Sequence, residues 1–214
     1  VNSVQTDDLI KLMTQDARVR HRFNPVFAVA VIGGLLISVL LLIGTIGLRP
    51  DLAQAIQTPR VAFKIGLMFI LAATCTRIAL IIGKPGVSLK PALAILAVPV
   101  LLFVSGIVLE LRSVASGEWG ARLIGQNPGF CLLFLPLLSL APLALMFAAL
   151  KQAAPVSPSL AGAAAGFASG AIAGSVYALH CPDDSPLFVA TWYFIGITLV
   201  AFGGWLLGGR ILRW

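Results

Sequence analysis

NPVFAVAVIGGLLISVLLLIGTIG (Asn24 to Gly47) runs without one charged residue. A helix needs about 20 such residues to cross a hydrocarbon layer about 30 Å thick. In lipid, every backbone amide must be satisfied inside the segment, so a helix is the form such a stretch can take there. Five more stretches have the same character: Val61 to Ile82, Pro91 to Leu111, Phe130 to Leu150, Ser159 to Leu179 and Leu187 to Gly208. Between them lie turn signals, Arg49-Pro50-Asp51, Lys84-Pro85-Gly86, Asn127-Pro128-Gly129, Pro155 to Pro158 and Pro182 to Pro186. The expected fold class is an all-α membrane protein: a six-transmembrane-helix bundle over 24–214 behind an amphipathic segment, 1–23.

Composition agrees. The chain has 214 residues, 59% hydrophobic and 11% charged, where an ordinary soluble domain carries about 25% charge. Its net charge of +7 would suggest nucleic acid in a soluble chain, but the bases gather at the edges of apolar runs. There they suit the anionic lipid of a cytoplasmic leaflet, and no direct nucleic-acid partner is expected. Nine bases (Lys11, Arg18, Arg20, Arg22, Lys84, Lys90, Lys151, Arg210, Arg213) fall on one side and five (Arg49, Arg60, Lys64, Arg112, Arg122) on the other. The positive-inside rule puts the first set, and both termini, in the cytoplasm. The first apolar run is longer than a signal-peptide core and is expected to remain in the mature protein.

Thr6 to Arg22 carries a helix start in Thr6-Asp7-Asp8 and bases in its last turn. Leu9, Leu12, Met13 and Ala17 share one stripe. The segment reads either as a membrane-surface helix or as a docking peptide for a cytoplasmic protein. In the fifth span, Gly162, Gly166, Gly170 and Gly174 form a smooth ridge for close helix packing. Pro99, Pro136 and Pro142 should kink spans three and four or free a carbonyl.

Charge inside a span calls for an explanation, so Lys64, Arg77 and Glu110 are candidates for function. Lys64 and Glu110 lie near the outer boundary and are expected to snorkel. Arg77 sits beside Thr74, Cys75 and Thr76. Cys131 opens span four and Cys181 follows span five in His180-Cys181-Pro182-Asp183-Asp184, so both thiols are expected to face the outer side. They suit a structural disulfide or a sensing pair that forms a disulfide or takes a soft metal ion, with His180, Asp183 and Asp184 as auxiliary groups. A helix N-terminus favours a thiolate, which would make Cys131 the more reactive. Cys75 reads as a small buried hydrophobe. No phosphate loop, carboxylate pair or nucleophilic triad occurs, so no enzyme and no resident cofactor are expected. Two rivals remain, a thiol and quinone redox protein and a small solute transporter. The first usually carries a closely spaced cysteine pair, and the second an internal repeat.

Thr6-Asp7-Asp8-Leu9-Ile10, Gly125-Gln126-Asn127, Cys131-Leu132, Pro136 to Ser139, Tyr177 to Pro186, Trp192-Tyr193 and Gly209-Arg210 together resemble the NrsF family of bacterial membrane anti-sigma factors. The block around Cys181 is the most specific part. The resemblance implies a six-span protein of the bacterial inner membrane. It would hold an extracytoplasmic-function sigma factor at the cytoplasmic face and release it under metal or oxidative stress. Cys131 and Cys181 would sense the signal, and Asp7, Asp8, Leu9, Leu12 and Met13 would lie in the docking segment. Cys75 lies outside the motif.

Overall fold

The computed structural model describes Asp7, Ile10 and residues 23–84, 86–88, 90–153 and 155–213. Six long helices account for most of it: α1 (Phe23–Thr45), α2 (Pro59–Ile82), α3 (Lys90–Ser113), α4 (Pro128–Leu150), α5 (Pro158–Tyr177) and α6 (Pro186–Ile211). Each is long and apolar enough to cross a membrane, and each begins or ends within three residues of the expected boundary. Proline starts α2, α4, α5 and α6 at the first helical position, where its missing N–H costs no helical bond.

α5 is the central helix. It is 72% buried across its most apolar stretch, against 17% for α3, and it packs on α2, α4 and α6. The glycine ridge explains the closeness to α6. A Cβ on Gly162 would overlap the Gly204 carbonyl and lie 2.7 Å from the Gly208 Cα, and one on Gly166 would lie 2.6 Å from the Val200 carbonyl. The two backbones therefore touch through a glycine seam, where contact between main chains replaces side-chain interdigitation.

Of the two proline outcomes, one is visible at Pro142. Its ring removes the amide that would bond Leu138 O, and Ser38 of α1 supplies the missing donor at 2.7 Å. A Cβ on Gly34 would lie 2.5 Å from the Pro142 Cα, so the glycine lets the proline ridge in. α6 begins with one turn of α-helix, widens to a π-helix over Val189–Tyr193 and returns to α-helix at Phe194–Ile211. Asp7 and Ile10 are helical and exposed; Asp8, Leu9, Leu12 and Met13 lie outside the described residues.

Candidate functional site

Three connections, 46–58, 114–127 and 178–185, meet at one end of the bundle, here called the cysteine end. Its organising group is Lys64, which is 1% exposed. An ammonium has three protons to donate, and Lys64 Nζ gives them to Cys181 O at 2.8 Å, Asp183 O at 3.3 Å and Asp184 Oδ1 at 2.5 Å. Lys64 therefore does not snorkel to water as its position suggested: the 181–184 turn folds back over it and supplies acceptors in place of solvent.

Arg49 joins the same carboxylate. Its guanidinium reaches Asp184 at 3.0 Å and Asp51 at 2.8 Å, and it holds the Asp51 carboxyl below its ordinary range through the hydrogen bonds it donates. Main-chain bonds complete the tie, with Arg49 N–H donating to Leu179 O and His180 Nδ1 lying 2.9 Å from Gly47 O. Glu110, 4% exposed, is likewise enclosed rather than snorkelling. It accepts from Arg60 at 2.9 Å, Arg122 at 3.3 Å and Ser185 Oγ at 3.3 Å. Two buried charges from the sequence thus become the centres of two linked ion clusters, each with enough donors or acceptors to offset the loss of water.

Gly125 shapes the third connection. At φ +66° it takes a left-handed conformation, and a Cβ there would strike the Phe188 ring and the Asp183 carboxyl. That approach lets Gln126 N–H donate to Asp183 Oδ1 at 3.0 Å, while Trp192 Nε1 donates to Leu123 O at 2.9 Å.

Under this layer lie Cys131 and Cys181, 0% and 1% exposed and unbridged. They share one apolar cluster with Tyr177, Phe188 and Tyr193. They stand at the expected end of the bundle but do not face outward, because the 178–185 turn covers them. Burial pushes the Cys181 thiol above its ordinary range, and the Lys64 charge pulls the other way. Cys131, in the first turn of α4, is fully enclosed. Among the described residues, the buried Asp183 Oδ2 has no hydrogen-bond partner, and Tyr193 Oη has the Cys181 thiol as its polar neighbour. Tyr193 belongs to the π-helical turn, whose extra residue per turn is a frequent mark of functional sites. Among the described residues, no three His, Cys, Asp or Glu side chains gather to hold a metal ion.

Arg77 is exposed on α2, away from this layer, and Cys75 is buried on the same helix. In the sequence, Arg49, Arg60 and Arg122 bear on topology alone, and Tyr193 stands only within the Trp192-Tyr193 part of the family resemblance. The pointer to the three arginines was that Glu110, Asp183 and Asp184 fall at the same level.

The family model described as "NrsF: Negative regulator of sigma F" matches residues 12–214. The "Probable anti-sigma-F factor NrsF" of Azospira oryzae is 32% identical over 213 residues, 99% of this chain and all of that protein. The "Anti-sigma-F factor NrsF" of Caulobacter vibrioides is 34% identical over 215 residues, again 99% of this chain and all of that protein. No solved structure gives a significant match. With the match running through the central glycine seam and the whole cysteine end, this chain belongs to the NrsF family of negative regulators of sigma F.

Proposed function

We propose that the chain is a regulatory, non-catalytic anti-sigma factor of the bacterial inner membrane. It binds an extracytoplasmic-function sigma factor at its cytoplasmic face through 1–23, around Asp7 to Met13, and releases it on metal or oxidative stress. The observation that carries this reading is the end-to-end match to two relatives named as anti-sigma-F factors. Charge supports the orientation. Among the described residues, four of the five bases at the cysteine end, Arg49, Arg60, Lys64 and Arg122, are paired with a carboxylate and Arg112 is not, whereas Lys84, Lys90, Lys151, Arg210 and Arg213 at the other end form no ion pair. Unpaired bases are the ones an anionic cytoplasmic leaflet retains.

In this proposal Cys131 and Cys181 are the sensing groups. A disulfide, or a soft metal ion taken by both sulfurs, would draw the start of α4 and the turn after α5 together. His180, Asp183 and Asp184 hold that turn, so its displacement strains the contacts of Lys64 and Arg49. α5 runs from this turn to the opposite end with its glycine seam on α6, which gives the shift a rigid path. Reversing a 99:1 preference requires about 5.5 kcal/mol in favour of the released state, within reach of one disulfide combined with local rearrangement.

The test is affinity purification of the tagged protein from native membranes in mild detergent, with and without prior cadmium or oxidant. A sigma factor bound before stress and lost after it is the expected result. Its absence from both samples, with the bundle intact, would overturn the reading. Cys131→Ser with Cys181→Ser should keep the sigma factor bound under stress.

A further inference from the structure

α3 leans on α2 and the first turn of α6 and leaves a cleft of about 590 Å³ between itself, α2, α5 and α6. That volume falls in the range of about 300–1,000 Å³ typical of ligand sites. The walls are helical stripes: Leu67, Leu71, Cys75, Ile78 and Ile82 on α2 recur every three or four residues, as do Leu93, Leu96, Val100 and Phe103 on α3. Leu160, Ala164 and Phe167 of α5 close the floor. Such a cleft selects a chain with no polar group along its length. At the end opposite the cysteines the stripe changes character: Lys90 stands one turn before Leu93 on the same face of α3, and Lys84 follows Ile82 by two residues. Both lysines lack a carboxylate partner among the described residues.

We propose that this cleft is a lipid site that takes one acyl chain of an anionic phospholipid, with Lys84 and Lys90 holding its phosphate. The inference rests on the reading of the six helices as membrane spans. Apolar depth and a basic mouth are matched by the two parts of such a lipid. A second copy's helix would fill the apolar part but would leave the two ammonium groups without a counter-charge.

Native mass spectrometry of the protein released from mild detergent tests this. The wild type should appear as a monomer carrying an anionic phospholipid. Leu96→Trp, which fills the cleft, should lower that occupancy by about fivefold, equivalent to about 1 kcal/mol. Lys84→Gln with Lys90→Gln, which leaves the bundle interior untouched, should keep a bound lipid but lose the anionic preference. A monomer without lipid, or a dimer without lipid, would overturn the proposal. Extraction of the chain from membranes by alkaline carbonate would instead overturn the membrane reading beneath it.

Discussion

Lys64 Nζ donates to the carbonyl oxygen of Cys181 at 2.8 Å across 117 positions of chain. One buried ammonium on α2 therefore fixes the backbone of a candidate sensing cysteine, and the same ammonium binds Asp183 O and Asp184. The thiol is covered because the turn that carries it is held down by charge.

Replacing Lys64 by Met keeps the bulk of the chain and removes all three donors. Asp184 retains Arg49, so the loss belongs near the lower end for a broken buried pair, about 3 kcal/mol. Thermal unfolding in detergent should read that loss. Alkylation of Cys181 should accelerate by about tenfold or more, because opening the turn then costs at least about 1.4 kcal/mol less. Lys64→Arg should restore much of the protection. Faster unfolding with unchanged alkylation would mean that the lysine supports the bundle without latching the turn.

Burial raises the Cys181 thiol, which sets the sign of a pH effect. Below the ordinary thiol range, near 8.5, the group is protonated whether the chain is folded or not, and stability does not depend on it. Above that range the unfolded chain loses a proton that the folded chain keeps, so stability falls as pH rises, by up to about 1.4 kcal/mol per pH unit. Unfolding compared at about pH 7.5 and about pH 9.5 should show the fall, and Cys181→Ser should reduce its slope by one proton's share.

All six spans could be read from the sequence because apolar length is a one-dimensional property. Residue 24 and residue 47 are enough to bound a helix. The glycine ridge was legible as a packing face, although its partner was not: Gly204 and Gly208 offer the complementary spacing only once α6 is laid beside α5. Charge was harder. Lys64, with a boundary a turn away, reads as a snorkelling side chain because sequence does not reveal that Cys181 O and Asp183 O arrive from a distant turn. The burial of both thiols was invisible for the same reason, since it depends on Arg49 and Gly125 from two separate connections and on Glu110 from α3.

The glycine seam makes a paired test. A methyl on Gly166 would press on the Val200 carbonyl and the Ala201 Cα at 2.6 and 2.7 Å, whereas one on Gly203 meets nothing within 4 Å. Gly166→Ala should cost about 2 kcal/mol or more, because main chain cannot yield as a side chain can. Gly203→Ala should be neutral or slightly stabilising through helix propensity, by at most about 1 kcal/mol. Equal effects at both positions would mean that the two helices do not meet along this seam.

Ser38 and Pro142 permit a sharper experiment. Ser38 Oγ donates to Leu138 O, which stands four residues before Pro142, and it also reaches Gly34 O of its own helix at 3.0 Å. Ser38→Ala alone removes the donor that compensates for the proline and should cost about 0.6–1.7 kcal/mol, the range for hydrogen bonds between membrane helices. In a Pro142→Ala background the amide of residue 142 can bond Leu138 O itself, and Ser38→Ala should then cost much less. The double-mutant cycle isolates that difference as a coupling energy of about 0.5 kcal/mol or more. A coupling near zero would mean that the serine serves only Gly34, and that the Leu138 carbonyl is satisfied without it.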